Sequence, residues 1–435
     1  MKTKKLLLVL FLMIFVLLFS ACAKSNKDMS GEYYSRESDD VYSVPGGYSG
    51  YKGDSGTSTE VMPSEGGYEV VPGGTTDGDD KTTSSSNNLP RSGQLTVKAY
   101  NDNANWDYYK SLITRGQEKD GEFMGYQARY NLANNRIKLS FKGLSNVKVT
   151  LLDNNQNEEF IAYSDALGYA YLFNSEERDN YTVKVEYTRD GNNISEIKEV
   201  KDNDEIDLGI ENKLNNIIQL MFVIDTTGSM GDEISYLQAE IIDIIQRIKE
   251  DNNQITIYLA LMFYRDNGDD YVTRYYDFST DIEAQVQKLA KEYAMGGGDF
   301  EEAVDEAFKL ASLQQWLLSS STNILVHVAD APSHDKDVST WFKAVAKLAA
   351  QNVKVINVAS SGINKATEYL FRNECIQTNG YYCYLTNHSG IGGGHIDATV
   401  GDEPTVELLN DCLVRLINGI HTGDMKEPTE YTQKQ

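Results

Sequence analysis

The chain has 435 residues, of which 40% are hydrophobic and 10% aromatic, so it can form two or three folded domains. Its 65 acidic and 40 basic residues give a formal net charge of -25 at pH 7. A surface this acidic repels nucleic acid and anionic lipid and attracts cations, so neither nucleic acid nor an anionic membrane surface is expected as a main partner.

The first 21 residues have the composition of an export signal. Three lysines precede the apolar stretch 6–19, which is too short to span a bilayer comfortably. Small residues then precede Cys22, and this ending resembles a bacterial lipobox. The resemblance implies that residues 1–21 are a lipoprotein signal peptide and that Cys22 is lipidated and anchors the protein to a membrane. An ordinary secretory signal is the alternative.

Residues 22–93 are rich in Gly, Ser, Asp and Tyr and show no sustained hydrophobic period. A segment with so little apolar content cannot offset the entropy lost on ordering, so we expect a disordered tether. A flexible coil of about 70 residues would hold the next domain roughly 45–50 Å from the membrane on average.

Residues 94–210 contain short apolar runs separated by Gly, Asn and Asp turns, a pattern typical of a β-sandwich. The predicted strands are Arg136–Phe141, Val147–Leu152, Glu159–Tyr163, Tyr169–Phe173, Tyr181–Tyr187 and Ile194–Val200. The turn 164–170, which contains Ser-Asp-Ala-Leu-Gly, resembles the signature of transthyretin-like or carboxypeptidase-regulatory-like sandwiches. That resemblance implies a fold and little about activity, and we expect a spacer domain.

In residues 211–423, strands and helices alternate, which predicts an α/β doubly wound (Rossmann-like) domain with a mostly parallel sheet. The predicted strands are Ile217–Ile224, Ile255–Phe263, Asn323–Ala329, Val353–Ala359 and Tyr381–Leu385, with helices at 232–250, 281–293, 300–313, 339–351, 365–378 and 405–418. Val272–Phe278 is predicted as an antiparallel edge strand, and 424–435 as a polar tail.

Three segments of this domain offer oxygen ligands at strand ends. Asp225 follows an apolar strand, with Thr227 and Ser229 at alternate positions after it. Asp299 ends a Gly-Gly-Gly-Asp segment, and Asp330 follows another apolar strand. Ligands of open α/β sheets bind beyond the carboxyl ends of the strands, and hard cations prefer oxygen ligands.

Together these segments resemble the metal-ion-dependent adhesion site (MIDAS) of von Willebrand factor type A (VWA) domains. The resemblance implies that Asp225, Thr227, Ser229, Asp299 and Asp330 hold Mg²⁺, with Mn²⁺ or Ca²⁺ as substitutes. It further implies a non-enzymatic protein that binds an extracytoplasmic protein or surface ligand. Thr227 replaces the usual first Ser and keeps its hydroxyl. Asp299 stands where the family usually has Thr, so metal binding carries over more safely than adhesion.

Several of these residues have simpler explanations. Asp299 with Glu302 could form a capping box for the helix predicted at 300–313, and Asp330 could be an Asx-turn acid. The candidates for the ligand rim are Arg265, Asp266, His334 and His395. Alternatively, Arg265 and Asp266 belong to a plain hairpin, and the two histidines occupy solvated loop positions. His327 lies within an apolar strand and is predicted as a core residue.

The long glycine-rich loop 386–404 leaves the last predicted strand on the metal side. We hypothesise that it forms part of the ligand rim, because long loops in compact domains are usually functional or disordered. Of the three cysteines besides Cys22, Cys412 is predicted to be a core residue, whereas Cys375 and Cys383 could form a disulfide.

Two other functions compete with metal-assisted binding. Asp225-Thr-Thr-Gly-Ser also resembles the phosphorylation motif of haloacid-dehalogenase phosphohydrolases, in which the Asp is a nucleophile. Asp330 stands where that family needs Ser or Thr, which counts against this reading. The other alternative is a metal-free scaffold in an envelope assembly.

Overall fold

A computed structural model describes residues 90–114, 122–251 and 254–432. The predicted signal peptide, Cys22 and nearly all of the predicted tether lie outside these residues. Within the described ranges, the helices are too short or too polar to cross a membrane.

The largest element is an eight-stranded sheet with the order β10-β9-β8-β11-β12-β13-β1-β14. Its strands are β1 (Thr96–Tyr100), β8 (Ile217–Asp225), β9 (Thr256–Tyr264), β10 (Thr273–Ser279), β11 (Thr322–Ala329), β12 (Val353–Ala359), β13 (Tyr381–Leu385) and β14 (Glu407–Leu408). The five adjacent strands β9, β8, β11, β12 and β13 run parallel to one another. The prediction of a mostly parallel α/β sheet is confirmed.

Alternate residues of β8 enter two separate apolar clusters, one on each face of the sheet. Met221 and Val223 belong to one cluster, and Leu220, Phe222 and Ile224 to the other. An unbroken apolar run is therefore required at this central strand, because both of its faces are covered by helices.

The helices that cover the two faces follow the strands in the order expected for βα units. They are α1 (Trp106–Ile113), α2 (Met124–Tyr130), α3 (Ile234–Asp251), α4 (Ile282–Leu289), α5 (Val304–Ser312), α6 (Val338–Ala349), α7 (Lys365–Gln377) and α8 (Leu409–Thr422). Side chains of α3 and α8 pack in the cluster with Phe222, and those of α5, α6 and α7 pack in the cluster with Val223.

The two edges of the sheet differ from each other. At one edge β10 pairs antiparallel with β9, as predicted. At the other edge β1 pairs antiparallel with β13 and with β14. Residues 96–100 lie in the segment 94–210, which the sequence assigns to the sandwich, and no strand is predicted there. The predicted boundary at residue 210 therefore does not separate the sheets. Local sequence patterns could not predict this pairing, because β1 and β13 are nearly 300 residues apart.

Residues 135–200 form two smaller antiparallel sheets. Their strands are β2 (Asn135–Ser140), β3 (Lys148–Leu152), β4 (Glu158–Tyr163), β5 (Tyr169–Asn174), β6 (Tyr181–Arg189) and β7 (Asn192–Val200), paired as β2-β5 and as β4-β3-β6-β7. Both sheets contribute to one apolar cluster, to which β6 supplies the alternating residues Val183 and Val185.

The Ser-Asp-Ala-Leu-Gly turn that suggested this region has a clear physical role. Asp165 Oδ1 accepts hydrogen bonds from the backbone N–H groups of Leu167 at 3.0 Å and Tyr169 at 2.9 Å. Gly168 has φ +86, and a Cβ there would lie 2.4 Å from the backbone nitrogen of Gly143. The acid fixes the turn and the glycine admits a neighbouring loop.

The three described cysteines are free thiols. Cys375 and Cys383, for which a disulfide was considered, are both buried, and Cys375 Sγ lies 3.1 Å from the carbonyl oxygen of Tyr381. Cys412 lies in the apolar cluster between α8 and the sheet, as predicted.

Candidate metal centre

Two aspartates meet where the central strands β8 and β11 end. The two strands are parallel and adjacent, with Ile224 opposite Val328. Asp225 is the last residue of β8 and Asp330 follows the last residue of β11. Both are buried, with exposed fractions of 0% and 5%.

Asp225 organises the turn that follows it. Its Oδ1 accepts hydrogen bonds from the Thr227 backbone N–H at 2.8 Å and the Thr227 hydroxyl at 2.7 Å. The Thr227 hydroxyl also lies 3.2 Å from that of Ser229, which is on the exposed side of the turn. One carboxylate oxygen thus holds the turn, which leaves Asp225 Oδ2 buried and without a hydrogen-bond partner.

The electrostatics of the two aspartates favour a positive charge between them. Burial, and next the Asp330 carboxylate, raise the pKa of Asp225, and the hydrogen bonds from Thr227 oppose the shift only in part. Burial also raises the pKa of Asp330, with Ser229 opposing the shift and Glu233 adding to it. Asp330 Oδ1 is a second buried oxygen without a partner. Two desolvated like charges destabilise each other unless a cation or protons neutralise them.

Glu302 is a third buried acid of this centre, and sequence reasoning had given it only a capping role. Its exposed fraction is 2%, and its Oε2 has no hydrogen-bond partner. Burial, and then Asp225 and other nearby carboxylates, raise its pKa to about 9. A Cβ at Gly297 would lie 2.9 Å from Glu302 Oε1 and 3.4 Å from Thr227 Cβ, so the glycine-rich segment separates Glu302 and Thr227 by little more than its backbone.

The capping-box explanation for Asp299 and Glu302 is wrong. Helix α5 begins at Val304, and its N-cap is Ala303, which has no side-chain cap. The Glu302 backbone N–H instead donates to the carbonyl oxygen of Pro332 at 2.9 Å. This tertiary bond holds the Glu302 segment against the loop after Asp330 and delays the start of the helix.

The structure groups Asp299 with different residues from those predicted. Its side chain is 62% exposed, and its Oδ2 lies 3.7 Å from His334 Nε2. The other ring nitrogen of His334 lies 3.8 Å from Asp266 Oδ1. Ligand atoms of these three residues all lie within 4.8 Å of one another. Within the described ranges, no hydrogen bond joins Asp299 to Asp225, Thr227, Ser229 or Asp330.

Arg265 does not line a ligand surface. It is 2% exposed, and its guanidinium donates to the carbonyl oxygens of Thr226 at 3.2 Å and Tyr293 at 3.0 Å. It also lies 4.6 Å from the Tyr271 ring centroid. Arg265 therefore ties the turn after Asp225 to the segment that precedes Gly296. Its burial contradicts the prediction that it lines the ligand rim.

His395 is also more enclosed than a solvated loop residue. Its side chain is 4% exposed, and its Nε2 lies 3.2 Å from Glu233 Oε1. In the same loop, a Cβ at Gly392 would lie 2.0 Å from Glu233 Oε1, and one at Gly393 would lie 3.5 Å from Ser361 Oγ. The loop 386–404 thus packs beside Glu233, the residue that helps to raise the pKa of Asp330.

His327 is a core residue, as predicted. It is fully buried, its Nε2 lies 3.1 Å from the Tyr264 hydroxyl, and its Nδ1 lies 2.9 Å from Glu374 Oε1.

The donor set fits a hard divalent cation. Carboxylate oxygens of Asp225, Asp330 and Glu302 are buried without partners, and the hydroxyls of Thr227 and Ser229 lie on the adjoining turn. All are oxygen atoms, the ligands that Mg²⁺ and Ca²⁺ take. A buried carboxylate oxygen without a donor is destabilising in the absence of a cation or proton.

Comparisons with known proteins identify the same part of the chain. Residues 219–398 match the family model for a von Willebrand factor A domain. The alpha-protein kinase vwkA of Dictyostelium discoideum is 27% identical over 176 residues, which are 39% of this chain and 28% of that protein. The putative ariadne-like RING finger protein R811 of Acanthamoeba polyphaga mimivirus is 30% identical over 120 residues, 28% of this chain and 12% of that protein. The chain thus spans less than a third of either relative.

Among solved structures, BatB from Bacteroides thetaiotaomicron covers 47% of this chain and 98% of its own, with 11% identity and a TM-score of 0.33. An aerotolerance-related membrane protein from Bacteroides fragilis covers 47% of this chain and 99% of its own, with 10% identity and a TM-score of 0.31. Residues 219–398 are therefore similar to a von Willebrand factor A domain, and the α/β topology of this part of the chain agrees with that match.

Proposed function

We propose that this protein is a lipid-anchored, extracytoplasmic VWA protein that binds a divalent cation at a MIDAS and uses it to bind a partner protein or surface ligand. The observation that carries the proposal is the pair of buried aspartates, each with one oxygen that has no donor. Mg²⁺ is the expected ion, with Mn²⁺ or Ca²⁺ as substitutes.

Each residue has a separate part in this centre. Asp225 holds the turn through one oxygen and presents the other, while Thr227 and Ser229 supply hydroxyls. Asp330 completes the set from the neighbouring strand. A bound cation would supply a positive centre with a coordination position for an oxygen atom of the partner. Asp299, Asp266 and His334 would contact that partner at the rim.

In the metal-free protein, the raised pKa of Glu302, about 9, keeps this carboxyl group protonated at neutral pH. A bound divalent cation would lower that pKa, because a nearby positive charge stabilises the ionised form. Glu302 would therefore lose its proton when the ion binds and join Asp225 and Asp330 in holding it.

The buried position of Asp225 argues against the phosphohydrolase alternative. Its side chain has no exposure to solvent, and Oδ1 already accepts two hydrogen bonds from Thr227. A nucleophile must reach the phosphorus atom of its substrate, and this carboxylate is instead a structural part of its own turn.

The metal proposal is tested by calorimetric titration of Mg²⁺, Mn²⁺ and Ca²⁺ into the full-length mature protein. We expect one saturable site in the wild type and none in Asp330→Asn. Asp179→Asn, which removes an exposed acid from a surface loop, is the matched control and should bind as the wild type does. If the wild type binds none of the three ions, the metal-free scaffold is the better explanation.

The anchor is tested separately by expressing the full-length chain in a bacterium and separating membrane from soluble fractions. We expect the wild type in the membrane fraction and Cys22→Ser in the soluble fraction or as an unprocessed precursor. An unchanged distribution of a fully processed Cys22→Ser protein would contradict lipid anchoring.

A further inference from the structure

A second group of charges without salt bridges lies at the opposite end of the strands of the large sheet. A cavity of about 780 Å³ opens between the amino ends of β11 to β13 and the smaller antiparallel sheets. Two lysines and one arginine line it: Lys354 at the start of β12, and Arg136 and Lys138 in β2. Seven-residue strands rise about 3.3 Å per residue, so roughly 20 Å separate this cavity from the aspartate edge.

None of the three cations forms a salt bridge. Within the part of the chain that the structure describes, no carboxylate oxygen lies within 4.0 Å of Lys354, Arg136 or Lys138. Lys354 is 8% exposed, and among the described residues its ammonium group has a single hydrogen bond, to the carbonyl oxygen of Tyr163 at 3.4 Å. Buried charges are normally paired, so a ligand is the expected source of the missing negative charge.

Aromatic rings hold the two cations of β2 in position. The Arg136 guanidinium lies 4.6 Å from the Trp106 ring centroid and 5.0 Å from that of Tyr171, and its Nε is buried without an acceptor. Lys138 Nζ lies 4.1 Å from the Tyr169 ring centroid. Cation–π contacts orient these side chains without neutralising their charge.

Three aspartates also line the cavity and act on the cations only from a distance. Asp107 is exposed on α1, and the other two are hydrogen-bonded to neutral groups. Asp165 accepts two backbone N–H groups of its own turn, and its Oδ2 accepts from Asn379 at 2.9 Å. Asp202 accepts from the backbone N–H of Lys138 and from the Asn203 side chain, both at 2.8 Å. Burial lowers the pKa of Lys354 to about 8, and Asp165 offsets that shift only in part.

We propose that this cavity binds a polyhydroxylated anion of the acidic-saccharide class, with its acidic group held by Lys354 and Arg136. The volume is far larger than a simple inorganic anion needs and falls within the range of about 300–1,000 Å³ typical of small-molecule sites. Amide and hydroxyl side chains, among them Asn215 and Ser145, surround the cations and suit a ligand with hydroxyl groups.

The test is calorimetric titration of the full-length mature protein with digalacturonate, with the neutral disaccharide maltose and with inorganic phosphate. We expect one saturable digalacturonate site that is unaffected by EDTA. Maltose, which lacks the acidic group, and phosphate, which lacks the hydroxyls, should each bind at least about tenfold more weakly, because charged hydrogen bonds and the additional hydrogen bonds both contribute.

Two variants remove the cations, and a third is the control. Lys354→Met should weaken digalacturonate binding by at least about tenfold and should raise the Tm of the ligand-free protein, since it removes an unpaired buried charge. Lys138→Gln, at a half-buried position, should weaken binding while the fold is retained. Lys343→Met, on the exposed side of α6, should change neither quantity.

Three results would overturn the proposal. They are no saturable binding of digalacturonate, equal binding of maltose or phosphate, and unchanged digalacturonate affinity in both Lys354→Met and Lys138→Gln. None of these results depends on whether the metal centre binds an ion, because the two sites lie at opposite ends of the strands of the large sheet.

Discussion

The Arg372 cluster and the pair Asp225 and Asp330 are two buried groups of charged side chains, and only the first contains both signs of charge. Arg372 is fully buried, and it donates to Asp102 at 2.5 and 3.0 Å, to Glu368 at 3.1 Å and to the carbonyl oxygen of Thr399 at 2.6 Å. Asp225 and Asp330 are buried equally well but have no cation among the described side chains, and each retains an oxygen without a donor.

The presence or absence of an oppositely charged side chain distinguishes buried charges that stabilise the fold from those that require a ligand. The Arg372 cluster links α7 to the segment after β1 and to the loop before β14. Its cation and its carboxylates are paired with each other within the chain. The aspartate pair has the reverse arrangement, with like charges facing each other at a strand edge. Removing a charge should therefore destabilise the first group and stabilise the second in the absence of metal.

The largest expected effect is at the Arg372 cluster. Arg372→Met leaves Asp102 and Glu368 buried without their partner, and breaking a buried ion pair in this way costs about 3–5 kcal/mol. Urea unfolding should show a loss of that order or failure to fold. The matched control Arg129→Met removes an exposed arginine and should change stability by less than about 0.5 kcal/mol.

In the absence of metal, the free energy of unfolding should depend on pH differently in the wild type and in a variant of Glu302. The folded-state pKa of Glu302 is raised to about 9 from an ordinary value of 4.5, so the folded state holds a proton that the unfolded state loses. The resulting stability is complete below about pH 4.5 and is lost as the pH rises towards 9.

Unfolding of the protein in EDTA at several pH values measures this slope. Glu302→Gln keeps a neutral, hydrogen-bonding side chain and should flatten the decline between pH 5 and 9, while Glu283→Gln, at an exposed position of α4, should not. An identical slope in the wild type and in Glu302→Gln would show that Glu302 is charged in the folded protein.

A smaller effect is expected at Arg265, which joins two loops of the centre without contacting a metal. Arg265→Gln removes the bonds to the carbonyl oxygens of Thr226 and Tyr293 and should weaken Mg²⁺ affinity by about tenfold, the lower end of the effect of losing a residue that orients the ligands. Calorimetric titration beside Arg129→Gln, whose side chain is 57% exposed and lies on α2, measures the difference. Equal affinities in the two variants would contradict the positioning role.

The smallest effect is expected at Asp299. Because its side chain is 62% exposed and lies beside His334, Asp299→Asn should lower Mg²⁺ affinity by about threefold or less. The same titration of Asp330→Asn should abolish binding. If Asp299→Asn abolished binding as well, Asp299 would be a direct ligand, as the family resemblance alone had implied.

The sequence was sufficient for features that depend on local pattern. The run from Leu220 to Ile224 predicts a strand covered on both faces, and Asp225 with Thr227 predicts the turn at its end. These predictions succeed because each depends on a few adjacent residues and on the general geometry of parallel sheets. The alternation of strands and helices likewise predicts the α/β topology.

Features that depend on distant contacts could not be obtained in this way. Glu302 enters the centre because its backbone bonds to Pro332, which delays the start of α5. The burial of Arg265 depends on carbonyl groups of two separate loops, and β1 joins a strand nearly 300 residues away. A glutamate three residues after Gly-Gly-Gly-Asp was the one local signal that could have identified Glu302.

The most direct test of the central claim is the stability of Asp225→Asn relative to the wild type, measured by urea unfolding in EDTA and in saturating Mg²⁺. Asparagine can still accept both hydrogen bonds from Thr227 through its carbonyl oxygen, so the turn is preserved. In EDTA the variant should be more stable by on the order of 1–2 kcal/mol, because one unit of pKa shift corresponds to about 1.4 kcal/mol. In Mg²⁺ the order should reverse, because only the wild type gains stability from the bound ion. A variant that is less stable than the wild type in EDTA, or a wild type that Mg²⁺ does not stabilise, would contradict the account.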